Sequence, residues 1–578
     1  MRTAALLLLL TVLAVVPYLP GLPGEFVYDD HRLIADNEGL RRPFDARRAF
    51  LRDYYASDVD RMGLGYYRPV ALLSNEADWR RSGGAPLAFH LTNLALHAAC
   101  TGLVFALGRI LVPGGAIPAA AAAALFALHP AHAESVAFIS GRVDPLATLF
   151  GLAALAAHLV GRRRAHAWPW RTVAGAAWLL ALLSKEMAVS VPLVAALLDL
   201  ARGERRGWVA SYVPYGVAAV LYLPLRVTAL GAITTAAPSW VHVAWWRPPV
   251  VLGSYLAWTA FPPPGLHLEP EPVSGLLAWG AGALALAVPI AAFLLWRSGA
   301  RVPAALLLAV PLTLLPVAQL RPIETALSER FLYLPTALAA ACVAVSLSTM
   351  RRRAAVGIGL ALLGLAYAAV IVPRARLWRD ERALWTAYTG AQPQAVKGWL
   401  NLARARTSDG DAEGAARAYA RARTLAPDLP IEGEMANVAA GPLEGRIAHI
   451  RAALQRAPED GALWANLGFL LLQAKDPAAA GDAFRRSVAA TPGRARGWLG
   501  LALAELQRGA VGEADAAAAR AAALDPSLGL AAALRVECAV RAGQPCEALR
   551  RAEGLVLTDP AEAAALERLV ALARQGCP

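Results

Sequence analysis

The chain has 578 residues, of which 57% are hydrophobic and 17% charged, and its mean hydropathy is +0.43. A soluble globular protein carries roughly 25% charged residues, so the composition argues against an ordinary soluble enzyme. The formal net charge of +13 sits mostly in short clusters between apolar runs, a pattern that orients a membrane protein and argues against a nucleic-acid partner.

The charge is divided along the chain. Residues 1–372 hold 30 Lys/Arg and 20 Asp/Glu, about 13% of positions, whereas 373–578 hold 26 and 23, about 24% and ordinary for a soluble domain. The expectation is an all-α chain with a polytopic membrane domain over 1–372 and a water-soluble domain over 373–578.

A bilayer span needs about 20 apolar residues in a helix. The first runs from Thr3 to Pro20; it lacks a small-x-small cleavage pattern and reads as a retained anchor. Further runs lie near 88–112, 116–130, 141–160, 172–184, 187–201, 208–230, 273–296, 302–320, 330–350 and 354–372. The run 248–264 ends in Phe-Pro-Pro-Pro-Gly and is ambiguous. Basic clusters at Arg162-Arg163-Arg164 with Arg171, at Arg202/Arg205/Arg206, at Arg297 with Arg301, and at Arg351-Arg352-Arg353 decide it. All four fall inside if the N-terminus is inside and 248–264 lies flat within an outer loop, 231–272. Eleven crossings follow, with 21–87 and everything after 372 outside.

Ionisable residues near membrane depth are costly and suggest function. The loop 21–87 opens with Asp29-Asp30, which could act as a base or hold a cation, and carries Tyr66-Tyr67-Arg68-Pro69 late. His90, Asn93 and His97 then share one helix face, expected to face the protein interior or a wet cavity. His129, His132 and Glu134 match a zinc pattern only loosely, without a clear fourth ligand. Arg142 and Asp144 follow, then Lys185 and Glu186 where two short helices meet, and finally Arg330. All but the helix-face group map to one side of the membrane. Cations there could hold a phosphate and carboxylates could deprotonate a hydroxyl. Nothing comparable stands out on the inner side.

The soluble part repeats at 34 residues. Pro458, Pro492, Pro526 and Pro560 are one period apart, as are Trp464 and Trp498, which begin Trp-Ala-Asn-Leu-Gly and Trp-Leu-Gly-Leu-Ala. This is the tetratricopeptide pattern, stacked as an α-solenoid with a concave surface for a partner. An earlier copy runs from Trp399 to Pro427, and 428–457 is a degenerate stretch interrupted by Gly433 and Gly441-Pro442. Of five cysteines, Cys100 and Cys342 read as core residues, while Cys538 and Cys546 could pair in an oxidising compartment.

Taken together these residues resemble the transmembrane and tetratricopeptide-repeat-containing O-mannosyltransferase family and its bacterial relatives. The carriers are Phe26-Val27-Tyr28-Asp29-Asp30, Tyr67-Arg68-Pro69, Phe89-His90 through His97, Leu125 through Ala137 with His129-Pro130-Ala131-His132-Ala133-Glu134, Gly141-Arg142-Val143-Asp144, Ser184-Lys185-Glu186 and Glu329-Arg330-Phe331-Leu332-Tyr333-Leu334-Pro335. The resemblance implies the membrane glycosyltransferase fold called GT-C. It also implies a sugar, mannose in the family, carried from polyprenyl phosphate to a protein Ser/Thr hydroxyl on the non-cytoplasmic face. An aspartate of the first outer loop is the family's base, so Asp29 or Asp30 takes that role, and adjacency does not choose. Arg68, His90, His129, Glu134, Arg142, Asp144, Lys185, Glu186, Arg330 and Tyr333 are the candidates for holding substrate. Relatives of the fold differ in needing a divalent cation, so no cofactor is assigned. Short basic clusters and the Ala/Arg/Gly content suggest a bacterial inner membrane with a periplasmic site. Two other readings stay open: an enzyme of this fold with another sugar or a lipid or glycan acceptor, and a non-enzymatic anchor displaying the repeats as a scaffold.

Overall fold

The computed structural model describes residues 2–55, 65–112, 115–232, 245–263, 274–320, 323, 325, 327–350, 353–426, 443–525, 528–553, 555 and 560–577. Among them every regular element is helical. The chain divides into two compact units, Met1–Pro393 and Gln394–Pro578. The sequence division at 372/373 therefore lies 21 residues before the structural one.

In the first unit seven helical stretches are long and apolar enough to cross a membrane: Thr3–Gly21, Pro86–Leu111, Ile139–Gly161, Trp208–Leu230, Gly275–Arg297, Glu329–Thr349 and Val356–Leu377. The other apolar runs are shorter helices, Ala116–Ala127, Trp168–Ser184, Val191–Arg202 and Arg301–Leu314. This is an integral membrane protein. The first helix ends where Pro17 and Pro20 remove backbone donors. Helix Arg247–Ala260 has 14 residues, roughly 20 Å and too short to cross. It lies against the segment 327–332, where the Tyr255 hydroxyl accepts from Ser328 N at 3.1 Å.

Helix Val143–Gly161 fixes the two ends of the unit. Asp144 stands at one end and Gly161 at the other, about 26 Å apart. Beyond Gly161 the basic turns meet. Arg162 donates to the carbonyl of Arg206 at 2.7 Å, and Arg205 and Arg301 line one cavity with Asp199 and Glu204. Arg351-Arg352 lies outside the described residues. The sequence showed no counterpart at this end to the charged group around Asp144, but the structure has one. His158 Nε2 lies 3.2 Å and Arg162 Nε 3.3 Å from the buried Asp199 carboxylate. Sequence scanning misses it because Asp199 lies on helix Val191–Arg202, 41 residues after His158 near the end of helix Val143–Gly161, and meets that end only on packing.

The second unit is a stack of antiparallel helix pairs. First helices begin at Gly461, Ala495 and Gly529, and second helices at Pro477, Val511 and Pro545, each series advancing by 34. The periodic tryptophans make a periodic bond: Trp464 Nε1 donates to Pro458 O at 2.7 Å and Trp498 Nε1 to Pro492 O at 2.9 Å. Phe484 fills the space over Gly468 and Gly500, where an added Cβ would lie 2.6 and 2.1 Å from its ring. The interruptions at Gly433 and Gly441-Pro442 lie outside the described residues.

The disulfide differs from the sequence expectation. Cys546 pairs with Cys577, 31 residues on, and Cys538 is a buried free thiol. Cys538 sits on the core face of helix Gly529–Arg541, whereas the C-terminus folds back onto Pro545 and brings Cys577 to Cys546. A loop of this length should contribute roughly 3–4 kcal/mol by the chain-entropy account. Cys577→Ser is therefore expected to lower the thermal midpoint of the repeat unit, read by circular dichroism. An unchanged midpoint would show that the last helices are held by packing alone.

Candidate active site at the first loop

The site begins where the prolines stop the first helix. Glu25 N donates to Arg379 O at 3.1 Å, and Tyr28 takes a left-handed φ of 55°. A non-glycine residue rarely does so without support. Support comes from two rings, Trp385 at 5.3 Å and Phe138 at 6.2 Å between centroids. This turn sends the next two carboxylates into different surroundings.

Asp30 goes inward. It is fully buried, and Oδ1 accepts from Ser140 N at 2.8 Å and Ser140 Oγ at 2.5 Å, while Oδ2 accepts from Val27 N at 3.2 Å. Ser140 is itself held in place. Asn93 Nδ2 donates to the carbonyls of Val136, Phe138 and Ile139. Gly141 packs so tightly that a Cβ would fall 2.7 Å from Glu134 O. Burial pushes the Asp30 carboxyl up to about 7, against the bonds from Ser140 and Val27 that pull it down. The native carboxyl thus binds its proton more tightly than an unfolded one. Its stabilisation is full below about pH 4 and is lost as the pH rises toward 7. Wild type should lose thermal stability between about pH 4 and 7 more steeply than Asp30→Asn. Equal slopes would show that Asp30 does not titrate there.

Asp29 goes outward. It is half-buried, and its Oδ2 accepts from the Tyr55 hydroxyl at 3.0 Å. Tyr55 is positioned by Asp53, which accepts from the backbone of Tyr55 at 2.7 Å and of Gly65 and Tyr66 at 2.5 and 2.8 Å. Burial and the neighbouring Asp29 charge hold the Tyr55 hydroxyl well above its ordinary value, so it stays a donor.

Three cations surround this end, each beside a carboxylate. Arg68 reaches Glu186 at 3.2 Å and lies over the Tyr66 ring at 4.4 Å. Lys185 Nζ is 2.5 Å from Asp144 and 4.7 Å from the Phe331 ring centre. Arg330 Nε is 3.6 Å from Glu134 and its guanidinium 5.6 Å from the same ring. Arg68 and Arg330 both act on Lys185 and on Tyr55, so the three charges form one field. Burial with the two arginines brings Lys185 down to about 8, partly offset by Asp144. The Arg68 guanidinium holds Glu186 down at about 2, against its burial. Preorganised cations of this kind stabilise a developing anion.

Other expected substrate contacts lie within the packing. Arg142 is fully buried on Asp78 at 2.7 Å, and also donates to Ser74 Oγ and Phe89 O. Tyr333 lies 2.5 Å by its hydroxyl from His97 Nδ1, and His132 Nε2 is 2.8 Å from Thr336 Oγ1. His129 is engaged by Thr259 O and Ala131 N, and His90 is buried beside Gly24. The polar face of helix Pro86–Leu111 thus meets protein. Among the described residues no group of three or more His, Cys, Asp or Glu is placed to hold a metal ion. Asp30 has its oxygens committed to amides and a hydroxyl and offers no free donor to a cation.

Sequence reasoning missed Asp53, Tyr55, Asp78, Arg374 and the pair Trp378–Trp385. Arg374 lies 2.7 Å from Glu329, and Trp378 stacks on Phe138 at 4.7 Å. Trp378 and Trp385 lie in a charged stretch of sequence, yet both are fully buried in the structure.

The chain is similar to protein O-mannosyl-transferases. Protein O-mannosyl-transferase Tmtc1 of Drosophila melanogaster is 37% identical over 194 residues, 33% of this chain and 22% of its own length. Tmtc2 of the same organism is 38% identical over 199 residues, 33% of this chain and 21% of its own. The Homo sapiens protein O-mannosyl-transferase TMTC2 is 33% identical over 195 residues, 33% of this chain and 23% of its own. The match thus spans about a fifth of the length of these curated relatives. No family model matches the chain. Among solved structures, a tetratricopeptide repeat protein from Parabacteroides merdae aligns with 36% of this chain and 83% of its own, at 20% identity and a TM-score of 0.29.

Proposed function

We propose that the chain is a membrane glycosyltransferase that passes a sugar, most simply mannose, from a polyprenyl-phosphate carrier to a Ser or Thr hydroxyl of a protein. The observation that carries this reading is the accessible Asp29 carboxylate, held by Tyr55 beside the field of Arg68, Lys185 and Arg330. The protein O-mannosyl-transferase relatives support the choice of sugar and acceptor.

In this reading Asp29 accepts the hydroxyl proton as the oxygen attacks the anomeric carbon. The bond from that carbon to the phosphate oxygen breaks with inversion, and polyprenyl phosphate departs with the electron pair. Arg330, the most exposed of the three cations at 19% against 10% for Arg68 and 4% for Lys185, meets the growing charge. The site faces the extracytoplasmic side, which in a bacterium is the periplasm, and the lipid tail lies between spans. The repeats present the acceptor on their concave face.

The test is transfer in proteoliposomes, with radiolabelled polyprenyl-phosphate mannose and a pool of exported proteins. Label should reach protein with wild type and not with Asp29→Asn. No label with several donor sugars would favour the scaffold reading instead.

A further inference from the structure

At the end of the membrane unit opposite Asp29, a cavity of 450 Å³ opens between the turn after helix Val143–Gly161 and the turn before helix Trp208–Leu230. Arg162, Arg164, His166, Trp168, Arg171 and Arg206 line it, and no carboxylate does. We propose that this cavity binds the phosphate headgroup of an anionic membrane lipid.

The charge balance is the first argument. Arg162 is neutralised by Asp199 at 3.3 Å and Glu204 at 3.4 Å, and its guanidinium holds the turn through the carbonyls of Glu204 and Arg206. Arg164, Arg171 and Arg206 have no such partner among the described residues. Arg171 Nε is buried with no hydrogen-bond partner, and its guanidinium lies 5.5 Å from the Trp168 ring centre. Three uncompensated guanidiniums around one cavity repel one another until an anion enters. Helix Trp168–Ser184 also starts here, without a side-chain cap, and its first two residues line the cavity.

The surroundings choose a lipid over a soluble anion. Trp168, which lines the cavity, is 55% exposed, as aromatic residues are at a membrane interface. From there Val173 on one helix and Val209, Val213, Val217 and Val220 on its neighbour are exposed along the two packed helices. A headgroup in the cavity would lay its acyl chains along this apolar surface. Basic pockets between membrane helices suit such headgroups.

The experiment uses the full chain in neutral detergent, titrated with phosphatidylglycerol or phosphatidylcholine and read by native mass spectrometry. Wild type should bind phosphatidylglycerol at least about tenfold more tightly, and the triple variant Arg164→Gln/Arg171→Gln/Arg206→Gln should lose that preference. Arg164→Gln alone, at an exposed side chain without a partner, should lose part of it without touching the fold. Arg205→Gln/Arg301→Gln, in the neighbouring cavity with Asp199 and Glu204, should retain it. Equal preference in wild type and the triple variant overturns the proposal. So does equal loss in the Arg205/Arg301 pair, which would reduce the effect to general positive charge. Displacement of phosphatidylglycerol by millimolar inorganic phosphate would assign the cavity to a soluble anion and also overturn it.

Discussion

Asp29→Asn is expected to cut sugar transfer by about 10²–10⁴-fold, the usual contribution of a general base, with the fold unchanged. The side chain is half-buried and receives its bond from the Tyr55 hydroxyl, which an amide oxygen can also accept. Asp30→Asn should behave differently. It places an amide where two backbone N–H groups and a hydroxyl all need acceptors, so one donor is left unpaired, at about 1–3 kcal/mol. Paired measurement of transfer and thermal midpoint separates them: the first variant loses rate alone, the second loses stability and rate together. A stable, inactive Asp30→Asn beside an active Asp29→Asn would reverse the assignment.

Lys185→Met should destabilise the membrane unit by about 3–5 kcal/mol, because it leaves the buried Asp144 carboxylate without its cation. Arg330→Gln should not. Its side chain is 19% exposed, and Glu134 still accepts from Ser328 Oγ at 3.1 Å and from the backbone of residue 330 at 3.2 Å. If Arg330 meets the leaving phosphate, its loss should cost about 10²–10³-fold in turnover. Thermal unfolding in detergent checks the first statement and single-turnover transfer the second. Wild-type turnover in a folded Arg330→Gln would remove that residue from the chemistry.

Much of the charged group around Asp29 was legible before packing was known. Asp29, Lys185, Glu186 and Arg330 stand out because each is a costly residue flanked by apolar runs. What could not be read was which charges cancel. Arg142 looks as available as Arg330 in sequence, yet it is closed off by Asp78, 64 residues earlier. Nor could adjacency separate Asp29 from Asp30. That choice is made by the left-handed turn at Tyr28, and its support comes from Phe138 and from Trp385, beyond the last apolar run.

The sequence by itself determined the elements that depend on local pattern. Apolar run length sets the membrane helices, the 34-residue period sets the repeats, and proline and glycine set their ends. These are properties of neighbouring residues, so one dimension suffices. Only the tertiary structure decided which carboxylate is reachable, which cysteines pair, and that the helix Glu381–Ala391 belongs with the membrane unit. Each of those depends on the desolvation or contact of groups distant in the chain, which packing creates and no spacing encodes.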